Sequence, residues 1–130
     1  MKFYISARYS RRQDAEDLGH LILENGHNVT SRWVWREQPD NYEVMEHEEV
    51  AQLALEDIDD VIKADALIAL SEPSDNPYGR GGRHVEYGYA LACGMVIIVI
   101  GPLENIFHYM NEVSNFETVD EFIDYLKENV

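Results

Sequence analysis

The chain has 130 residues, enough for one domain with a real core and too few for two. Its apolar share of 45% and charged share of 27% are those of an ordinary soluble globular protein, while ten basic side chains against twenty-five acidic ones leave a formal charge of −15. Such an excess of acid excludes a nucleic-acid polymer or an anionic membrane as the main partner, because phosphate must be met by a basic surface.

Strand-like and helix-like segments alternate along the chain. Residues 3–7 read as a first strand. Ser10, Arg11, Arg12 and Gln13 resemble a capping box, and Ala15, Leu18 and Ile22 then have helical spacing. Asn25-Gly26 ends that helix with a residue suited to the left-handed cap. The β-branched and aromatic stretch 29–35 reads as a second strand. A long helix is expected over 42–63, with Ala51, Ala54, Leu55, Ile58 and Ile62 as its core stripe and Glu56, Asp59 and Asp60 in solvent. A buried strand follows at 67–70, then a loop over 71–82 dense in glycine and proline. A helix over 83–93 stops at Gly94, and 95–100 is a strongly apolar strand. A short helix over 105–110 and a fifth strand near Phe116 precede a last helix capped by Thr118 and Glu121. Near-continuous apolar strands in strict alternation with helices imply an α/β fold, a single doubly wound domain over 1–130 with a five-stranded parallel sheet in a flavodoxin-like order. Its functional crevice lies at the carboxyl ends of the strands.

The longest apolar run, 95–100, is far below membrane-spanning length, and the first six residues are too short an apolar stretch for a signal peptide; a soluble, cytoplasmic protein is expected. The single Cys93 excludes a disulfide framework and reads as a small buried hydrophobe. Five histidines lack metal-ligand spacing, so neither a metal nor a cofactor is expected.

The loop over 71–82 is the most informative. Gly79-Arg80-Gly81-Gly82 opens a helix, so free N–H groups and the positive helix end face the crevice. Its glycine spacing is not that of a dinucleotide fingerprint, and no Gly-Lys-Ser/Thr of a P-loop is present. Glu86 sits near the start of that helix among uncharged neighbours. A carboxylate buried there is either partnered or functional, since leaving it unpaired costs several kcal/mol. Asp57 interrupts an apolar flank of the preceding helix, between Leu53, Val50, Val61 and Ala64. Two carboxylates in apolar settings suit glycosyl chemistry, one at the anomeric carbon and the other handling protons. Trp33 and Trp35 share strand parity and read first as core residues, with base stacking as the alternative. Tyr87 and Tyr89 read as packing groups.

Phe-Tyr-Ile-Ser-Ala at 3–7, Glu-Asp-Ile-Asp-Asp-Val-Ile-Lys-Ala-Asp-Ala at 56–66 and Val-Glu-Tyr-Gly-Tyr-Ala-Leu at 85–91 resemble the nucleoside 2-deoxyribosyltransferase family. Its relatives include deoxynucleoside 5′-monophosphate N-glycosidases and cytidylate hydrolases. The resemblance implies that Glu86 is a nucleophile forming a covalent glycosyl-enzyme and that Asp57 assists at the base or the sugar. It implies a small nucleoside or nucleotide as substrate, and a homodimer or higher homo-oligomer in which Asn105 serves the neighbouring subunit's site. Two positions depart from the family pattern. Phe3 stands where tyrosine is usual, with Tyr4 on the opposite face, and Arg80 stands near the place of an aspartate. Arg80 and Arg83, helped by Ser6, Arg8, Ser71 and the N–H of Gly82, could hold a 5′-phosphate. A nucleotide-binding or sensing module without turnover is the alternative.

Overall fold

Apolar runs of four or five residues can bury both faces only inside a parallel sheet covered by helices, and that is where the computed structural model places them. It describes residues 1–37, 44–73 and 79–129. Strands β1 (Lys2–Ser6), β2 (Asn28–Val29), β3 (Ala66–Leu70), β4 (Val96–Ile100) and β5 (Val113–Phe116) form one all-parallel sheet in the order β2-β1-β3-β4-β5. Helices α1 (Arg12–Glu24), α2 (His47–Ile62), α3 (Gly82–Ala92) and α4 (Val119–Asn129) complete the expected α/β fold.

Strand parity assigns the two faces. Phe3 of β1 packs edge-on against Phe122 of α4, while Tyr4 and Ser6 turn to the other face and meet α3. The register pairs Tyr4 with Leu67 and Ser6 with Ala69, so this second face is apolar beside both polar side chains. The order reverses between β1 and β3, and the crevice outside their carboxyl ends is where an open α/β sheet binds ligands.

Helix α1 buries Ala15, Leu18 and Ile22, and Gly26 takes φ 85° after it. Its expected Ser10 capping box does not form: a 3-10 turn, Tyr9–Arg11, leads in, and the N-cap is Arg11 without a side-chain cap. The cap on α4 does form, with Glu121 N–H donating to Thr118 Oγ1 and Glu117 N–H donating to Glu121 Oε2.

Two further expectations fail for identifiable reasons. The second strand ends after Val29, and Arg32–Trp35 is a 3-10 turn. Ile5 does not need a strand partner there, because its N–H donates to Ser31 Oγ and its carbonyl accepts from Trp33 Nε1. Trp33 is therefore a buried anchor, and Trp35 lies partly exposed against Gly19 and His20.

The second failure concerns α2. Its predicted start at residue 42 lies outside the described residues. Its predicted core stripe faces outwards, with Leu55 60% and Ile62 53% exposed. The buried residues are Asp60 and Val61. Ion pairs reverse the apolar logic: Arg32 holds Asp60, and Arg36 holds Glu56. With partners supplied, burying the acidic flank no longer carries the penalty of a lone charge.

Candidate active site

Glu86 of α3 faces β1, where it meets Tyr4 and Ser6. Gly81 at φ 85° lets the chain enter α3 without a side-chain cap, and Glu86 comes one turn later, over the ends of β1 and β3. Tyr4 Oη donates to Glu86 Oε2 at 2.5 Å and Ser6 Oγ donates to Oε1 at 2.8 Å. The Arg83 carbonyl lies 3.2 Å from the same Ser6 hydroxyl, which has one hydrogen to give and is nearer to the carboxylate. Burial pushes the Glu86 carboxyl up to about 7, against the two hydroxyl donors and with the help of the Asp57 charge.

Asp57 is held up to about 6, by burial first and then by Asp60, with Arg36 and Arg32 pulling the other way. Its charge is felt at both Glu86 and Tyr4, which places α2's inner flank opposite α3 across this crevice. The Tyr4 phenol is raised well above its usual range by burial and by the Glu86 and Asp57 carboxylates. It is therefore a hydrogen-bond donor at every working pH.

Around this pair runs a rim of paired charges. Glu72, at the end of β3, is buried and takes Arg8 Nη1 at 3.3 Å and Arg11 Nη1 at 2.9 Å. Glu104 takes both terminal nitrogens of Arg83, at 2.7 and 2.5 Å, and accepts the N–H of Glu72 at 2.9 Å. Its own N–H donates to Nδ1 of buried His108, so the neutral imidazole carries its hydrogen on Nε2. Ser6, Ala69, Leu70, Arg83, His84, Tyr87 and His108 line a small pocket beside Glu86. Glycine is required at one point of the rim: Gly79 has φ 144°, and a Cβ there would lie 2.8 Å from Arg8 Nε.

The expected site residues divide accordingly. Glu86, Asp57 and Ser6 converge. Phe3 does not: it is core, between His27 and Phe122, and the aromatic residue at the carboxylate is its neighbour Tyr4. Arg8 and Arg83 stand at the rim, each paired with a glutamate. Ser71 turns its hydroxyl to the Ile100 carbonyl and away from the crevice. Gly82 opens α3, and Arg80 is exposed just before it. Asn105 caps the 3-10 turn Ile106–Tyr109, accepting from Phe107 N–H.

Helix α3 is less enclosed than its uncharged sequence suggests. Only Tyr87 and Ala90 are buried, and Cys93 is exposed. Tyr4, Asp60, Glu72, Glu104 and His108 escaped the sequence reading. For Tyr4 the signal was available, since it shares strand parity with Ser6. Among the described residues no group of three His, Cys, Asp or Glu side chains is placed to hold a metal ion, and no helix is long and apolar enough to cross a membrane.

No family model matches the chain, and no curated protein matches it. Solved structures do. One is the CMP N-glycosidase BcmB of Clostridium botulinum, 20% identical, with 98% of this chain and 99% of that chain covered and a TM-score of 0.63. A 2-deoxyribosyltransferase of Bacillus psychrosaccharolyticus is 17% identical, with 96% and 92% covered and a TM-score of 0.72. A conserved protein of Enterococcus faecalis V583 is 15% identical, with 100% and 99% covered and a TM-score of 0.65. Over nearly their full lengths, these chains and this one share the same α/β fold.

Proposed function

We propose that the protein is an enzyme of the nucleoside 2-deoxyribosyltransferase family that cleaves or transfers the N-glycosidic bond of a (deoxy)nucleoside or its 5′-monophosphate. The observation that carries this is the enclosed Glu86 carboxylate, held by Tyr4 and Ser6 and opposed by Asp57 at the switch point of the sheet. The names of two similar folds, a CMP N-glycosidase and a 2-deoxyribosyltransferase, agree with it.

In this mechanism one Glu86 oxygen attacks the anomeric carbon as the bond to the base breaks. The two hydroxyl donors fix the carboxylate's orientation. Asp57 gives its proton to the departing base. Water or a second base then attacks the anomeric carbon of the glycosyl ester, its proton passes to the Asp57 carboxylate, Glu86 leaves as carboxylate, and the configuration is retained. Arg83 is paired with Glu104, and the N–H groups opening α3, with the Arg80 cation just before them, are the groups for a 5′-phosphate.

The site is completed by a second copy of the chain. Leu55 and Ile62 of α2, Val85 and Tyr89 of α3, and Ile106, Phe107 and Tyr109 beside Asn105 are all exposed apolar groups near the crevice helices.

The test is a panel of nucleosides and 5′-monophosphates, with and without an acceptor base, read for free and exchanged base. Free base from monophosphates alone assigns a nucleotide hydrolase, and exchanged base assigns a transferase. Binding without turnover on every substrate overturns the enzyme assignment in favour of a sensing module.

A further inference from the structure

Asp60 is the most deeply buried acid of α2, 3% exposed, and the mechanism above does not use it. Its carboxylate accepts the Arg32 backbone N–H at 3.0 Å on Oδ2, and Arg32 Nε at 3.0 Å on Oδ1 and 3.1 Å on Oδ2. Its carbonyl accepts from Thr30 Oγ1 at 2.8 Å. Every one of these contacts requires oxygen to accept, so the side chain is the anion and is fixed in place. Residues three apart on a helix are neighbours on one face, so this fixed charge lies beside Asp57.

We propose that Asp60, clamped by Arg32, is a positioning residue for the crevice, whose fixed charge raises the share of the pair's proton that sits on Asp57, where the departing base receives it. This rests on the reading of Asp57 as the acid of the proposed reaction.

The charges around Asp57 decide the sign. Glu56 and Asp60 face it from α2, Arg32 and Arg36 from the turn after β2, Glu86 from α3, and the Tyr4 hydroxyl from β1. Arg32 and Arg36 are cations that oppose Asp60. Their side chains are 47% and 43% exposed, whereas that of Asp60 is 4% exposed. Water screens the guanidinium charges, while the buried carboxylate acts through protein. The near, unscreened anion therefore prevails over its own partner. The same clamp has a geometric effect: Thr30 and Arg32 at Asp60, with Arg36 at Glu56, set the rotation of α2 that turns Asp57 inwards.

The experiment compares wild type, D60N and R32K by carboxyl-carbon NMR titration of Asp57 and by the pH profile of kcat/KM. In D60N the Asp57 titration is expected to fall by roughly one unit, because the repelling anion is gone and Arg32 is left unopposed. The acidic limb of the rate profile moves to lower pH with it and the maximum falls, because Asp57 has the lower titration of the pair. R32K, which keeps the charge pair, holds both near their wild-type positions. Should D60N fail to fold, D60S removes the same charge with less bulk and is read in the same way. An Asp57 titration unmoved by loss of the Asp60 charge overturns the proposal. A titration that moves while the rate profile stays overturns the delivery role and places the fault in the reading of Asp57 as acid. The titration does not depend on turnover, so a wild type that releases no base is distinguished from a charge pair that does nothing.

Discussion

Tyr4 and Glu86 are eighty-two residues apart in sequence and 2.5 Å apart in space, phenolic oxygen to carboxylate oxygen. The tyrosine ring is fully buried at the middle of β1, so its hydroxyl has no freedom to point elsewhere. Glu86 is thus held by the sheet itself, through Tyr4 and Ser6, rather than by its own helix.

Removing that hydroxyl tests how much it matters. Y4F leaves the ring in the core and deletes one charge-assisted donor, which contributes about 1.5–3 kcal/mol to the ionised form. The expected result is a fall in kcat/KM of roughly 10- to 100-fold, set by the same energy. The basic limb of the pH profile moves to higher pH, because Glu86 has the higher titration of the pair and its carboxylate has lost a hydrogen bond that favoured its charge. Steady-state kinetics from pH 4 to pH 9 read both; an unchanged basic limb excludes the assignment of Tyr4 as the group that holds the Glu86 carboxylate in its ionised form.

The two carboxyls together set the pH dependence of turnover. In the proposed mechanism the reacting form has Glu86 ionised and Asp57 protonated, so the pair must hold one proton between them; with Glu86 titrating above Asp57, this is the minor of the two singly protonated forms. Burial places their titrations near 7 and near 6, and activity is expected to peak across that interval and fall on both sides. D57N removes the proton donor while keeping its shape. Its profile loses the basic limb, and kcat on substrates with poor leaving bases falls by roughly 100-fold or more. A substrate with an activated leaving group recovers most of that loss.

Stability carries the same signature with its own sign. The Glu86 carboxyl is raised in the folded protein, from an ordinary 4.5 to about 7, so folding favours its protonated form. Its contribution is fully present below pH 4.5 and is lost as pH rises through 7, a change of about 3 kcal/mol. Asp57 acts in the same direction between its ordinary 3.8 and about 6. E86Q has no such ionisation. It is expected to match wild type near pH 4, to exceed it near pH 8 by up to about 3 kcal/mol, and to have no turnover at any pH. Urea titrations at the two pH values check the first part, and base release checks the second. A variant no more stable than wild type at pH 8 shows that the carboxylate is not strained by its enclosure.

Association is read at the helices. Leu55 on α2 and Val85 on α3 are 60% and 64% exposed on neighbouring elements. L55K and V85K place charges where a second copy would pack, at little cost to a monomer because both positions already face water. Sedimentation is expected to show a shift towards monomer, with activity lost in proportion. Variants that sediment like wild type rule out this face.

Which parts could be read from sequence follows from physics that is local or not. The strands at β3 and β4 and the stripe Ala15, Leu18 and Ile22 were legible because apolar period alone decides them. Glu86 and Asp57 were legible as acids set among apolar neighbours. The inner face of α2 was not, since Asp60 is buried only because Arg32, twenty-eight residues earlier, supplies its hydrogen bonds. The strand expected over 29–35 failed for a kindred reason: β propensity was right for the residues, but Ser31 and Trp33 serve β1 through their side chains. Phe3 and Tyr4 show the smallest possible error, one position of strand register, which moves a ring from the core to the Glu86 carboxylate.

The occupation of Ile5 by a hydroxyl and an indole has a consequence for behaviour at high concentration. An edge strand with open amides and carbonyls is a template on which foreign strands add. Here the outermost strand is two residues long, and beyond it the exposed ladder of β1 is already closed off. Among the described residues, that flank offers foreign strands only the two-residue β2 as a template, and beyond it crowding meets side chains in place of backbone.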